Sequence, residues 1–303
     1  MKEMAEVSLQ GAPRSIFHPS DFSREGIPAF AHALKLAVAA QGRLTILHAD
    51  AAGDEVHWSE FFKVRPMLER WGVIPPHSAR SAVADLGVSV EKIATLHKYP
   101  VDSILKYLGR NPHDLIVLAT HQHDGLERWL HRSIAEPVAR GAGEMTLFIP
   151  HGREGFVAAA DGRVNLGNVL IPVDHMPDSQ MAVRMAYEVA ELLGCRDTVF
   201  TLLHVGKAED FPPVKIPGDD AARWRRLAHE GTVETVITEA AGRLHARLIV
   251  MATMGHHGFL DALRGSTTER VVRAAGCPVL AVPADARQTV TTDEGLILQP
   301  AIS

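Results

Sequence analysis

Residues 114–133 read DLIVLATHQHDGLERWLHRS and residues 247–266 read RLIVMATMGHHGFLDALRGS, and the two align without a gap. Thr253 stands against Thr120, Gly258 against Gly125 and Ser266 against Ser133, each pair 133 positions apart (253 − 120). A chain built this way is two copies of one unit. Its 303 residues suit two domains of about 150 each.

The second copy carries the more informative version. Leu248, Ile249, Val250 and Met251 form an apolar, partly β-branched run of the length expected for a strand buried in a parallel sheet. A loop with Gly255 and Gly258 follows, and Gly265, Ser266 and Thr267 lead into TTERVVRAA, where Val271, Val272 and Ala275 have helical spacing. Glycines let a backbone approach a ligand closely. Free N–H groups and the dipole at a helix N-terminus favour phosphate. Glycines after a strand also serve plain tight turns, so the spacing alone leaves both readings open.

Composition removes several alternatives. With 46% hydrophobic residues each half has material for a core. Net charge is −5, from 31 Lys plus Arg against 36 Asp plus Glu, which gives no broad basic surface for nucleic acid. No apolar run has membrane-spanning length and no basic segment precedes an apolar core, so the expectation is a cytoplasmic chain that neither enters a membrane nor is exported. Cys195 and Cys277 lie in no metal or redox spacing and read as small buried residues in a reducing compartment.

In chain order, Ser15–Phe17 begin a strand that ends at Pro19-Ser20-Asp21, and Ser23 caps a helix carrying Ile27, Phe30, Ala31, Leu34 and Val38, with Gly42 ending it. Leu44–His48 is a second strand. Residues 50–87 are harder to read: Trp58, Phe61, Phe62, Leu68 and Trp71 have roughly helical spacing, stopped by Pro75-Pro76. Strands near Val88–Ile93, Leu115–Leu118 and Met145–Ile149 alternate with helices at Val101–Leu108 and after Arg132. Asp161-Gly162 in the connector is a two-residue hairpin signal. The second copy then shows strands at Val169–Val173, Val199–Val205, Trp224–His229 and Pro278–Val282, and helices through Met181, Met185, Val189 and Leu192 and through Thr232–Ala241. Residues 285–303 read as a polar tail with an apolar patch at Leu296–Leu298. Alternating strands and helices imply parallel sheets covered on both faces.

These residues resemble the universal stress protein family in its tandem two-domain form, from about Ser15 to Pro283. The motifs are a first strand ending Pro-x-Asp (Pro19-Ser20-Asp21 and Pro172-Val173-Asp174), a second strand ending His204-Val205, and G-x2-G-x9-G-[ST] after the fourth strand. Here the last motif is Ala252-x2-Gly255-x9-Gly265-Ser266, with only the first glycine changed. The resemblance implies an α/β fold of two doubly wound five-stranded domains, 14–151 and 165–284, packed about a pseudo-twofold axis with their fifth strands facing. It also implies ATP, with Mg, held at the strand ends of the second domain. Pro172, Val173 and Asp174 would then border adenine and ribose, Val205 and Met251 would flank the base, and Ala252 with Met254 would lead into Gly255, Gly265, Ser266 and Thr267 at the phosphates. Ala252 puts a methyl where the backbone should approach most closely. At the matching positions the first copy has Ala119, Gln122, Arg132 and Ser133, so it is expected to be nucleotide-poor and mainly structural.

His121 and His123, with His256 and His257, sit on equivalent loops, but their spacing defines no complete metal-ligand set. His48 and His204 at strand ends read as packed, hydrogen-bonded residues rather than bases. No P-loop lysine pattern, G-x-S-x-G elbow or H-E-x-x-H helix occurs. Three readings follow: a stress-response regulator binding ATP in its second domain, with slow hydrolysis as an option; a nucleotide-independent protein-interaction module of the same family; and an enzyme acting on an adenylated or phosphorylated small molecule, which the missing catalytic residues count against. The expected partners are an adenine nucleotide and another protein, and two chains could also pair as a homodimer.

Overall fold

A computed structural model of the protein describes residues 11–50, 61–96, 100–120, 138, 143–254 and 267–284. The first half contributes β1 (Ser15–Pro19), α1 (Ile27–Ala40), β2 (Arg43–Asp50), α2 (Val64–Arg70), a one-turn α3 (Ser81–Ala84), β3 (Ser89–Leu96), α4 (Pro100–Leu108), β4 (Leu115–Thr120) and β5 (Met145–Pro150). The second half contributes β6 (Asn168–Pro172), α5 (Gln180–Leu192), β7 (Val199–Val205), β8 (Trp224–His229), α6 (Val233–Arg243), β9 (Leu248–Thr253), α7 (Thr267–Ala274) and β10 (Val279–Pro283).

All ten strands join one sheet in the order β3-β2-β1-β4-β5-β10-β9-β6-β7-β8. Each half repeats the same five-strand order, and within each half every pairing is parallel. The halves meet where β5 and β10 pair antiparallel, with Leu280 opposite Leu147, Val279 opposite Phe148 and Ala281 opposite Thr146. Leu147 and Leu280 are themselves repeat equivalents (280 − 147 = 133), so the pseudo-twofold axis passes through this pair. The seam pairs the edge that each half would otherwise expose.

The inner strands form because they are short apolar runs buried on both faces, and β5 and β10 are buried at every position, whereas the edge strands β3 and β8 stay partly exposed. One face packs under α1 and α5 around Phe30, Leu34, Ala186 and Phe200, and the other under α4, α6 and α7 around Ile104, Ile237 and Val271. Ser23 caps as expected, its Oγ accepting from the Gly26 N–H at 3.2 Å, although a 3₁₀ turn (Arg24–Gly26) precedes α1. The left-handed residue that closes α1 is Gln41 (φ 48°), whereas Gly42 is needed because a Cβ there would run into the Arg14 carbonyl.

Two expectations change in detail. The helical spacing read across residues 58–71 yields only the short α2; Phe61 and Phe62 precede it and pack as rings, Phe62 stacking on Phe30 at 4.6 Å. The connector hairpin exists, bridged at Val157 and Val164, but Ala158 N–H donates to the Arg163 carbonyl across a four-residue loop rather than a two-residue one. Trp71 sets that length: its Nε1–H donates to Ala159 and its ring leaves Gly162 (φ 71°) no room for a Cβ. Trp58 and the tail 285–303 lie outside the described residues, and of the helix expected after Arg132, Val138 alone is described, helical and buried.

Candidate functional site

Strand order reverses between β6 and β9, and there the sheet opens. These neighbours pair only through Val169 with Leu248 and Leu170 with Ile249. Beyond that point β6 pairs with β7 alone and β9 with β10 alone. The carboxyl ends of β6 and β9 therefore stand apart, and a crevice at such a switch point is where parallel sheets generally place ligands.

A cavity of about 250 Å³ occupies this place. Pro172, Val173, Asp174, Val205, Met251, Ala252, Met254 and Thr267 all line it, bringing together every described residue expected at the site. Gly255, Gly265 and Ser266 lie outside the described residues, as do His121, His123, His256 and His257. The cavity wall also includes Ser179, Leu203, Val233, Ile237, Thr253 and Thr268, which the sequence reading missed. Val233 and Ile237 are one helical turn apart on α6 and were legible as an apolar pair. Ser179 carried no local signal.

Each wall has a local cause. Beyond β6 the ladder runs one step further, with Val173 N–H donating to the Leu203 carbonyl at 2.8 Å. The chain then turns: Asp174 N–H donates to Ser179 Oγ at 3.0 Å, and Asp174 Oδ1 accepts from the His175 N–H at 2.8 Å. Asp174 thus caps its own turn while its carboxylate stays exposed at the cavity. His204 is packed, its Nδ1–H donating to the Val173 carbonyl at 3.2 Å; His48 does the same toward Ser20 at 2.7 Å in the first half.

Much of the lining is apolar, from Val173, Leu203, Val205, Ile237 and Met251, and Ser179, Thr253 and Thr268 add buried hydroxyls to it. The N-terminal residues of two helices, Val233 of α6 and Thr267 and Thr268 of α7, contribute to the wall, and free N–H groups at such ends favour an anion. Arg270 ties the two helices, with Nε 3.3 Å from Glu234 and Nη2 3.3 Å from Thr267 Oγ1. Among the described residues the large apolar side chains that stand exposed are Met176, Val233 and Met254, at 73%, 40% and 44%, and all three line this cavity. An apolar rim kept in water marks a surface with a use.

Elsewhere the chemistry is quiet. Cys195 and Cys277 are free thiols; burial pushes Cys277 up to about 12, which keeps it protonated and inert. Among the described residues no three His, Cys, Asp or Glu side chains come together as a metal site, and no helix is long and apolar enough to cross a membrane.

Comparison with known proteins agrees with this architecture. The model of the universal stress protein family matches residues 14–150 and 217–283. Universal stress protein E of Escherichia coli K12 is 24% identical over 246 residues, covering 70% of this chain and 74% of its own. A universal stress protein of Mycobacterium bovis is 24% identical over 268 residues, covering 78% and 86%. The crystal structure of a universal stress protein from Archaeoglobus fulgidus superposes with a TM-score of 0.56 at 17% identity, over 90% of this chain and 98% of that one. Matched in both repeat units, the chain belongs to the universal stress protein family.

Proposed function

We propose that the second half, residues 165–284, binds ATP with Mg in the switch-point cavity, and that nucleotide state alters the protein's surface for a partner. The observation that carries this reading is the convergence, on one cavity, of a largely apolar lining, an exposed Met176–Val233–Met254 rim and the N-terminal residues of α6 and α7. That combination suits a ligand with one end of low polarity, such as a base, and an anionic end. In this reading Val173, Val205 and Met251 enclose adenine, Asp174 takes ribose, and Thr267 with Gly255, Gly265 and Ser266 holds phosphates. Bound Mg would screen phosphate charge, and Asp174 is the carboxylate among the described residues that line the cavity. Slow hydrolysis is an option within this reading.

A second reading, a nucleotide-independent interaction module, is favoured by one observation: Ala252, among the lining residues, stands where the family motif has glycine. The test separates the two. Denaturing the purified protein should release an adenine nucleotide in near-equal amount to the chain, or added Mg-ATP should raise the melting temperature. Gly265→Val should abolish both effects and Arg132→Ala should leave them. Neither bound nucleotide nor a thermal shift would favour the interaction module, and equal losses from both variants would sink the one-site reading.

A further inference from the structure

Thr253 and Thr120 are the same residue at the same place in the two copies, each the last residue of a fourth strand. They are used differently. Thr120 Oγ1 donates to the Ile149 carbonyl on the neighbouring fifth strand at 3.4 Å. The equivalent acceptor for Thr253 is the Val282 carbonyl (149 + 133), yet Thr253 Oγ1 is buried with no hydrogen-bond partner. Thr253 is 5% exposed, and it lines the switch-point cavity.

A buried hydroxyl is almost always paired, and one that is not calls for a physical reason. Thr253 shares a strand face with Met251, two residues earlier, whose side chain forms part of the cavity's apolar interior. Its backbone is fully engaged: it pairs in register with Pro283, and its carbonyl accepts from the Ala284 N–H at 2.9 Å. The strand is therefore fixed, and only the side chain can turn about its Cα–Cβ bond. One such rotation exchanges methyl for hydroxyl on the cavity side.

Building on the nucleotide reading above, we infer that the Thr253 hydroxyl is a ligand-binding group, held without a protein partner so that it completes its hydrogen bonding on the bound nucleotide. It adds one polar contact on the face of β9 that carries the apolar Met251. It therefore selects for a ligand with a donor or acceptor there and against a purely apolar occupant, whose binding would keep the hydroxyl unpaired. Thr120 is the structural form of the same residue.

Three variants of the full chain, Thr253→Val, Thr253→Ser and Thr120→Val, test the assignment through melting temperature without ligand and Mg-ATP affinity by calorimetry. Valine keeps the shape and removes the hydroxyl. Thr253→Val should melt at or above the wild-type temperature and bind Mg-ATP about tenfold more weakly, the loss expected for one hydrogen bond. Thr253→Ser should retain affinity. Thr120→Val should melt lower and bind as wild type does. A Thr253→Val protein that melts lower with unchanged affinity would overturn the assignment and leave the nucleotide reading standing. Absence of Mg-ATP binding to the wild-type chain would remove both.

Discussion

Two buried histidines give this protein an acid weakness. His32 on α1 is fully buried; its Nδ1–H donates to the Pro28 carbonyl at 2.7 Å and its Nε2 accepts from both the Phe156 and Val157 N–H groups at 3.1 Å. The ring is thus a neutral clamp on the connector between the halves, and Gly155 (φ 78°) approaches it so closely that a Cβ would lie 2.5 Å from the ring. Burial pushes His32 down to about 4, and His18, with its Nδ1–H on the Val117 carbonyl, likewise to about 4. Unfolded, both titrate near the ordinary value of 6.5. Between 6.5 and 4 each ring binds more protons unfolded than folded, so each lowers stability as pH drops through that window, by about 3 kcal/mol per ring at the low end, while Glu144, which burial raises to about 7, works in the opposite direction. Urea midpoints from pH 7.5 to 4.5 check this. His32→Leu should leave two N–H groups unpaired, cost about 2–4 kcal/mol at pH 7 and remove that ring's share of the acid slope, to which His18 and His113 also contribute; an unchanged slope would refute the clamp as a source of it. At this scale the sequence was only partly legible. Pro172, Asp174 and Met251 were marked by motif spacing, but His32 is one histidine among seventeen, and its partner lies 124 residues away. Thr253 was hidden differently, since only the missing partner sets it apart from Thr120.

At the scale of elements, the β5–β10 seam makes a prediction that symmetry sharpens. Leu147 and Leu280 are both 2% exposed and face each other on the pseudo-twofold axis. Leucine-to-alanine changes in a packed core cost about 2–5 kcal/mol, and two sites related by symmetry should lie within about 1 kcal/mol of each other. Because the side chains are neighbours, the double variant should depart from the sum of the singles. Denaturant titration of Leu147→Ala, Leu280→Ala and the pair measures this, and one costly site beside one neutral site would show that the axis lies elsewhere. The seam also shows what elements reveal in sequence. The strand from Ser15 to Pro19 was readable as a short run ending in turn residues, that from Trp224 to His229 by its place in the repeated order of the second copy, and Pro100–Leu108 by its helical period. The connector hairpin was misjudged by two residues because its loop length is set by Trp71, which reaches it from α2. Such contacts follow from packing and leave no local trace.

The whole molecule should unfold as one body. A chain of two repeats invites the expectation of two independent transitions, since multidomain proteins commonly depart from two-state behaviour. Here the seam replaces a domain boundary. A single apolar cluster on one face runs from Ile16 and Leu44 through Leu147 and Leu280 to Ile171 and Phe200, and the cluster on the other face likewise draws on both halves, from Phe17 and Ile104 to Ile237 and Val271. Losing either half would expose the inner edge and both apolar faces of the other at β5 or β10. The connector reinforces the link: Phe156, Val157 and Leu166 are buried in the first of these clusters, held from α1 by His32. Separation would therefore cost burial and hydrogen bonds together. Scanning calorimetry should give one heat-absorption peak whose calorimetric and van't Hoff enthalpies agree. Mg-ATP, bound only in the second half, should move that whole peak upward, because a ligand that binds the native state stabilises everything that unfolds with its site. Two peaks, with only the upper or lower one responding to nucleotide, would show that the continuous sheet is two thermodynamic units after all.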